Sequence, residues 1–285
     1  MREGCATLGR LLMKNSDIAV IVMTIQRYGA NKTARYLDRN EIPYWAMIPS
    51  GLDDEIEASY GDKAIVYDAE KIKKKVDFMG TNIENGASVG RMACNDFIRK
   101  MKNYKMAVVL DDDYGGVCSD LTLTPTLTNK TFYEVVKAVY KLGRDLGIRT
   151  GGYSGGARPD TKYNIMNIFM IDKEMEDRGL DKILNEDVCW SIYQWHRGRA
   201  CFGLGNAIRS GAQTAEMDKI DGNTKLIYAT DRSYRKSFGA VLADPKNAKL
   251  TYNSGNTKRG ALWYHRVSWS DIAPKIILEE KGVKK

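Results

Sequence analysis

The stretch MAVVLDDDYGG, Met106–Gly116, decides the fold. Four apolar residues, Ala107–Leu110, run straight into three carboxylates, Asp111, Asp112 and Asp113, and then into Tyr114 and two glycines. A short apolar run of this kind reads as a strand buried on both faces. A strand ending in acids holds them at its carboxyl edge, where open α/β sheets place their ligands. Adjacent carboxylates repel one another unless a positive charge sits among them, and Mg²⁺ or Mn²⁺ suits hard oxygen ligands. Side chains alternate along extended backbone, so Asp111 and Asp113 face one ion while Asp112 faces elsewhere. The competing reading is a solvated acidic turn closing a core strand.

Working outward, the chain before this stretch has an α/β rhythm. Residues 17–24, DIAVIVMT, form a second buried-strand run. Asn31 then N-caps a helix over NKTARYLDRN, with Ala34, Tyr36 and Leu37 inward. Residues 43–49 between two prolines, and 64–67, read as strands, with a helix between them over 53–60. Strand, helix, strand, helix, strand implies a parallel sheet. A right-handed crossover brings Thr24 and Arg27 to the same sheet edge as the acids. Residues 68–76 predict a lysine-rich, solvated helix and 77–86 a loop. Ser88 reads as the cap of SVGRMACNDFIRKM, which carries Arg91 in its first turns and leads directly into the acidic strand.

Beyond Gly116, Leu121–Leu123 reads as a short strand or hairpin, and Asn129 or Thr131 starts a helix over TFYEVVKAVYKLGRDLG. Residues 148–157, IRTGGYSGGA, read as a glycine-rich loop, with a strand over 165–171. A helix is expected over NEDVCWSIYQWHRG, and irregular segments with short helices after it. No internal repeat or linker interrupts the chain. A single domain, 1–285, is expected, with a nucleotide-binding half over 17–116 and an acceptor half plus C-terminal elaboration over 117–285.

Composition narrows the class. With 43% hydrophobic and 28% charged residues in 285, the chain can bury a sizeable core. No apolar run reaches membrane-span length, and no signal-peptide core is present. Five widely spaced cysteines without a CxxC pair argue against a disulfide framework or structural zinc and suit a reducing cytoplasm. The net charge of +8, from 44 basic and 36 acidic residues, is compatible with an anionic partner.

Three further places carry chemistry. Thr24 and Arg27 suit a nucleotide base, ribose or phosphate. Glu186 and Asp187 precede a helix, where the dipole alone favours acids; alternatively, one is a general base for an acceptor hydroxyl. His265, one of two histidines, can complete a metal shell with the acids, while His196 reads as a surface residue. Arg266, Arg259 and Lys258 suit a diphosphate, and Trp263, Tyr264 and Trp269 are core residues or stack on a base.

Taken together, an opening strand ending in Thr/Arg, an Asp-x-Asp strand, a later Glu-Asp before a helix and a late His resemble the GT-A nucleotide-sugar glycosyltransferases. The helix SVGRMACNDFI running into AVVLDDDY further resembles the TET-associated glycosyltransferases of phages, over roughly residues 17–195. Arg91 and Asn95 stand there with Met92-Ala93-Cys94 between them. The resemblance implies an α/β, GT-A-like (Rossmann-like) fold, with a mixed, mainly parallel sheet flanked by helices and an irregular C-terminal region. It implies Mn²⁺ or Mg²⁺ on Asp111 and Asp113, Asp112 on the donor ribose or sugar, and Thr24, Arg27 and Arg91 on the donor side. Asp187, or else Glu186, becomes the acceptor-activating acid. The implied reaction moves a sugar from a UDP-sugar to a hydroxymethylated pyrimidine in DNA, with the target base flipped out and the glycine-rich loop on the DNA backbone. The setting is the cytoplasm, that of an infected host for a phage protein. The alternatives are a GT-A enzyme with a glycan, lipid or protein acceptor, a nucleotidyltransferase of similar fold, and a non-catalytic DNA-binding module.

Overall fold

A computed structural model describes residues 13–76, 87–112, 114–117, 129–145, 150–154, 160–162, 166–172, 185–198, 201–205, 208–210, 232–254 and 262–272. The first half supplies β1 (Ile18–Met23), α1 (Lys32–Arg39), β2 (Trp45–Pro49), α2 (Asp54–Ala58), β3 (Ala64–Tyr67), α3 (Ala69–Val76), α4 (Ala87–Lys100) and β4 (Met106–Asp111). The second supplies β5 (Tyr114–Val117), α5 (Asn129–Asp145), β6 (Thr150–Ser154), β7 (Asp160–Lys162), β8 (Met166–Asp172), α6 (Glu186–His196), β9 (Cys201–Gly205) and β10 (Ile208–Ser210). Last come α7 (Tyr234–Ala243), β11 (Ala248–Asn253), β12 (Leu262–Val267) and α8 (Trp269–Ile272).

Among the described residues, eight strands form one sheet in the order β3-β2-β1-β4-β8-β6-β9-β7. The first four run parallel, as the strand–helix rhythm demands. β8 joins β4 antiparallel, β6 pairs antiparallel with β8, and β9 runs parallel to β6. The sheet is therefore mixed, with a Rossmann-like parallel half, and it continues unbroken from the first half of the chain into the second.

The central strands β1 and β4 are apolar on both sides because both sides are covered. Ile18, Val20, Val22, Met106, Val108 and Leu110 pack on one face with α1 and with Phe132, Tyr133 and Val136 of α5. Ala19, Ile21, Ala107 and Val109 pack on the other with α3, α4 and Trp190 of α6. The opposite side of α6, through Val188 and Ile192, holds α7 and α8. Helix α6 is thus wedged between the sheet and the C-terminal elements.

Several local expectations need correction. Ser88 does not cap α4: the helix already includes Ala87, and the Ser88 side chain is buried against the core. The glycine-rich segment is no loop over 150–154. It is β6, an interior strand whose pairing with β8 slips around Gly151 and Gly152, the irregularity that glycine in a strand permits. The C-terminal region is more regular than expected, with α7 packed on an antiparallel ribbon of β11 and β12. The expected loop at 77–86 and strand at 121–123 lie outside the described residues.

Helix α1 tests the local logic. Asn31 is fully buried; its side chain accepts from the Ala34 N–H at 2.8 Å and donates to the Tyr60 hydroxyl at 2.7 Å. Asn31→Ala removes the cap and one of the two hydrogen bonds of the Tyr60 hydroxyl, which keeps its bond to the Gln26 carbonyl at 2.9 Å, so unfolding in urea should show a loss of about 2 kcal/mol. A loss within 0.5 kcal/mol of zero, roughly the size of a neutral surface change, contradicts this account of the helix start.

Candidate functional site

The end of β4 is fixed from both faces. Alternation along the strand sends Asp111 to the side of Ala107 and Val109, toward α4 and α6. Asp112 turns to the other side, where its carboxylate accepts from the Thr24 hydroxyl at 2.9 Å. The Asp112 carbonyl accepts from the first-turn amides of α1, Lys32 at 3.1 Å and Thr33 at 3.4 Å. The Thr33 hydroxyl donates to the Asp111 carbonyl at 2.6 Å. The first two N–H groups of α1, which have no partner within the helix, thus clamp the acidic turn, and the positive dipole end of the helix lies there.

On the Asp111 side the counter-charge is Arg91, which is 1% exposed. Its Nε donates to Glu186 Oε1 at 3.0 Å, and a terminal nitrogen stands 3.4 Å from Asp111 Oδ1. One guanidinium therefore joins the strand-end acid to the start of α6, a span suited to the planar fork of arginine. Gly90 helps to make this possible. A Cβ there would stand 3.1 Å from the Met23 sulfur, so the missing side chain lets α4 lie close to β1.

The start of α6 gathers more polar groups. Asn185 sits in the left-handed region at φ 61° and makes no side-chain cap bond. Its amide instead lies 3.2 Å from His265 Nδ1 on β12. With the amide donating, the His265 proton resides on Nε2. Burial, reinforced by the positive charge of Lys236 on α7, lowers the His265 pKa to about 4, so the ring is neutral at pH 7. Asp187 accepts from the Val188 N–H at 2.8 Å. Desolvation and then the adjacent Glu186 charge push its carboxyl up to about 6, while Lys236 pulls the other way.

Arg91, Asp111, Glu186, Asp187 and His265 thus converge on one region through α4, β4, α6 and β12. Arg27 stays apart on the surface, paired with Asp53 at 3.0 Å and Glu55 at 2.6 Å at the start of α2. His196 bonds Asp244 at 2.9 Å and is half exposed. Asp113, Lys258, Arg259 and the 155–158 part of the glycine-rich segment lie outside the described residues. Among the described residues, no three His, Cys, Asp or Glu side chains group as ligands of one ion. Lys236 is the member that sequence reasoning missed. Nothing in YRKSFGAVLA marks it, because only the docking of α7 on β12 and α6 brings its charge to Asp187 and His265. Comparison with family models and with curated proteins returned no match.

Removing Arg91 leaves Glu186 buried without its cation. Arg91→Ala should therefore lower stability by roughly 3–5 kcal/mol in urea unfolding. Arg91→Lys should recover little, because a single ammonium cannot reproduce the two-armed span. Full recovery by lysine would contradict the bridging role.

Proposed function

We propose that the chain is a metal-dependent glycosyltransferase of the GT-A type, moving a sugar from a UDP-sugar to the hydroxyl of a hydroxymethylated pyrimidine in DNA. The observation that carries this reading is the Arg91 bridge. It joins a strand-end carboxylate at the ligand-binding edge of the sheet to a second pair of acids at a helix start. A mixed sheet with a parallel first half agrees with it.

The residues fit a divalent ion in part: Asp111 and Asp113 are hard oxygen donors, whereas His265, with Nδ1 accepting from Asn185 and its proton on Nε2, offers no lone pair to an ion unless that hydrogen bond is broken. Bound there, such an ion would act as a Lewis acid on the departing diphosphate. The chain's own groups divide the remaining work. Asp112, held by Thr24, is oriented toward the α1 side of the donor site. Glu186 is held in an ion pair by Arg91. Asp187, with its raised pKa, is the general base for the acceptor hydroxyl. Thr24, bonded to Asp112 just past β1, marks the donor edge, whereas Arg27 is taken up by Asp53 and Glu55.

The test is turnover of UDP-glucose and related donors with and without Mn²⁺, scored for UDP release. Metal-dependent release that Asp113→Ala abolishes supports the reading. No turnover with any donor, or pyrophosphate as the product of a nucleoside triphosphate, overturns it.

Asp187 makes a second prediction. As a base it must be ionised, so the rate should rise with pH, with a midpoint near 6. Its raised folded pKa means that its protonated form adds stability that is complete below about 3.8 and is lost as pH rises through about 6. Asp187→Asn should therefore lose about 100-fold or more in rate, while its melting temperature at pH 8 stays equal to wild type or rises. A mutant that is slow only because it is unfolded would contradict the assignment.

A further inference from the structure

Asn185 opens α6 in a conformation that L residues disfavour. It lies in the left-handed region, with φ 61° and ψ 35°, and is 5% exposed. Asparagine in such a turn commonly bonds its own neighbouring backbone, but this side chain makes no capping bond. It reaches instead to His265 Nδ1 on β12, 80 residues away in sequence and 3.2 Å in space. Strain of this kind persists only where the surroundings hold it.

The partner stands on a fixed strand. The Trp263 carbonyl accepts from the Ser237 hydroxyl at 3.0 Å, and the Trp263 N–H donates to the Arg232 carbonyl at 2.9 Å. The Ser268 N–H, just past β12, donates to the Asn247 carbonyl at 2.8 Å. His265 is thus bracketed by anchors to α7 and to the turn before β11.

Consecutive residues at the start of α6 are tied in opposite directions. Asn185 is bound to the ribbon, and Glu186 is bound to Arg91 on the sheet side. One tie would leave the turn free to pivot about it, whereas two on opposite sides of the helix fix it. The Asn185 carbonyl also accepts from the Cys189 N–H at 3.0 Å, so the helix is built directly on this residue. Asn185, Glu186 and Val188 are buried, but Asp187 between them keeps partial exposure, and a ligand can reach it.

We propose that His265 is a positioning residue, which through Asn185 holds the strained turn that aims the Asp187 carboxylate. A backbone outlier kept in place by a distant side chain, next to a group that must be aimed, is the arrangement expected of a supported reactive site. This inference deepens the proposed transfer and rests on it for the role of Asp187 as base.

The experiment compares the full-length protein with His265→Ala, His265→Gln and Asn185→Gly. Hydrogen exchange of the Cys189 amide is followed by NMR. UDP release is measured against UDP-glucose and related donors at pH 8 with Mn²⁺. His265 is neutral there, so none of the substitutions alters the charges facing Asp187, which come from Glu186, Arg91 and Lys236. His265→Ala should speed exchange at Cys189 by about five- to tenfold, the worth of one hydrogen bond. It should lower kcat by about 10- to 100-fold and leave the donor KM within about twofold of wild type. A glutamine side-chain carbonyl can accept from the Asn185 amide, so His265→Gln should restore both exchange and kcat. Asn185→Gly adopts the left-handed turn without strain but loses the tie. It should match His265→Ala in kcat, with a melting temperature within about 4 °C of wild type.

Three results overturn the positioning role: wild-type exchange and kcat in His265→Ala, a glutamine variant as slow as the alanine one, or a kcat loss that added Mn²⁺ reverses, which would make His265 an ion ligand. If donors turn over and exchange at Cys189 is unchanged in His265→Ala, the positioning role fails and the transferase reading stands. If no donor turns over, the transferase reading fails, and exchange that quickens in His265→Ala and recovers in His265→Gln still upholds the tie.

Discussion

The buried Arg91 guanidinium is the constraint on which the centre of the molecule depends. A charge with 1% exposure is tolerable only with partners at hand, and its two partners come from different layers of structure. Asp111 ends the central strand, and Glu186 opens the helix that separates the sheet from the C-terminal elements. Satisfying one cation thus fixes how α4, β4 and α6 meet. An apolar replacement of matched size could give equal stability, but it would not set the two groups of acids in a defined relation. Retaining the ionic bridge fits a role in geometry.

The same strand end is held from the opposite side by α1. Thr24, Thr33 and the first-turn amides of α1 grip Asp111 and Asp112 through side chain and backbone. The two faces of the sheet therefore converge on one turn of chain. On the α4 side the carboxylate faces a cation, and on the α1 side it faces a hydroxyl. Across the bridge, Asp187 and His265 have their ordinary protonation shifted in opposite senses, one toward a proton acceptor near neutrality and the other toward a permanently neutral ring. Pairs of groups driven apart in this way suit acid–base chemistry.

The parallel half was legible in the sequence because its signals are local. Apolar runs of four to six residues, an asparagine cap and prolines bounding β2 placed β1 to β4 and α1 to α3 nearly to the residue. Arg91 was legible as a position but not as a bridge, since its partner Glu186 lies 95 residues away. The glycine-rich 150–154 segment misled because glycine is counted as a breaker, whereas here neighbouring strands on both sides hold it extended. The β11–β12 ribbon was missed for a related reason. Its residues alternate weakly, AKLTYN against LWYHRV, and its stability comes from packing on α7. Lys236 left no trace, because its relevance is wholly tertiary.

The central claim is that the turn after β4 holds the metal of a UDP-sugar site. The most direct measurement is anomalous diffraction at the manganese edge from a crystal soaked with Mn²⁺ and UDP. The account predicts a single strong peak within coordination distance of the Asp111 or Asp113 carboxylate, with UDP density beside it on the β1 edge. No peak there, or manganese bound only at a site remote from Asp111 and Asp113, would contradict it.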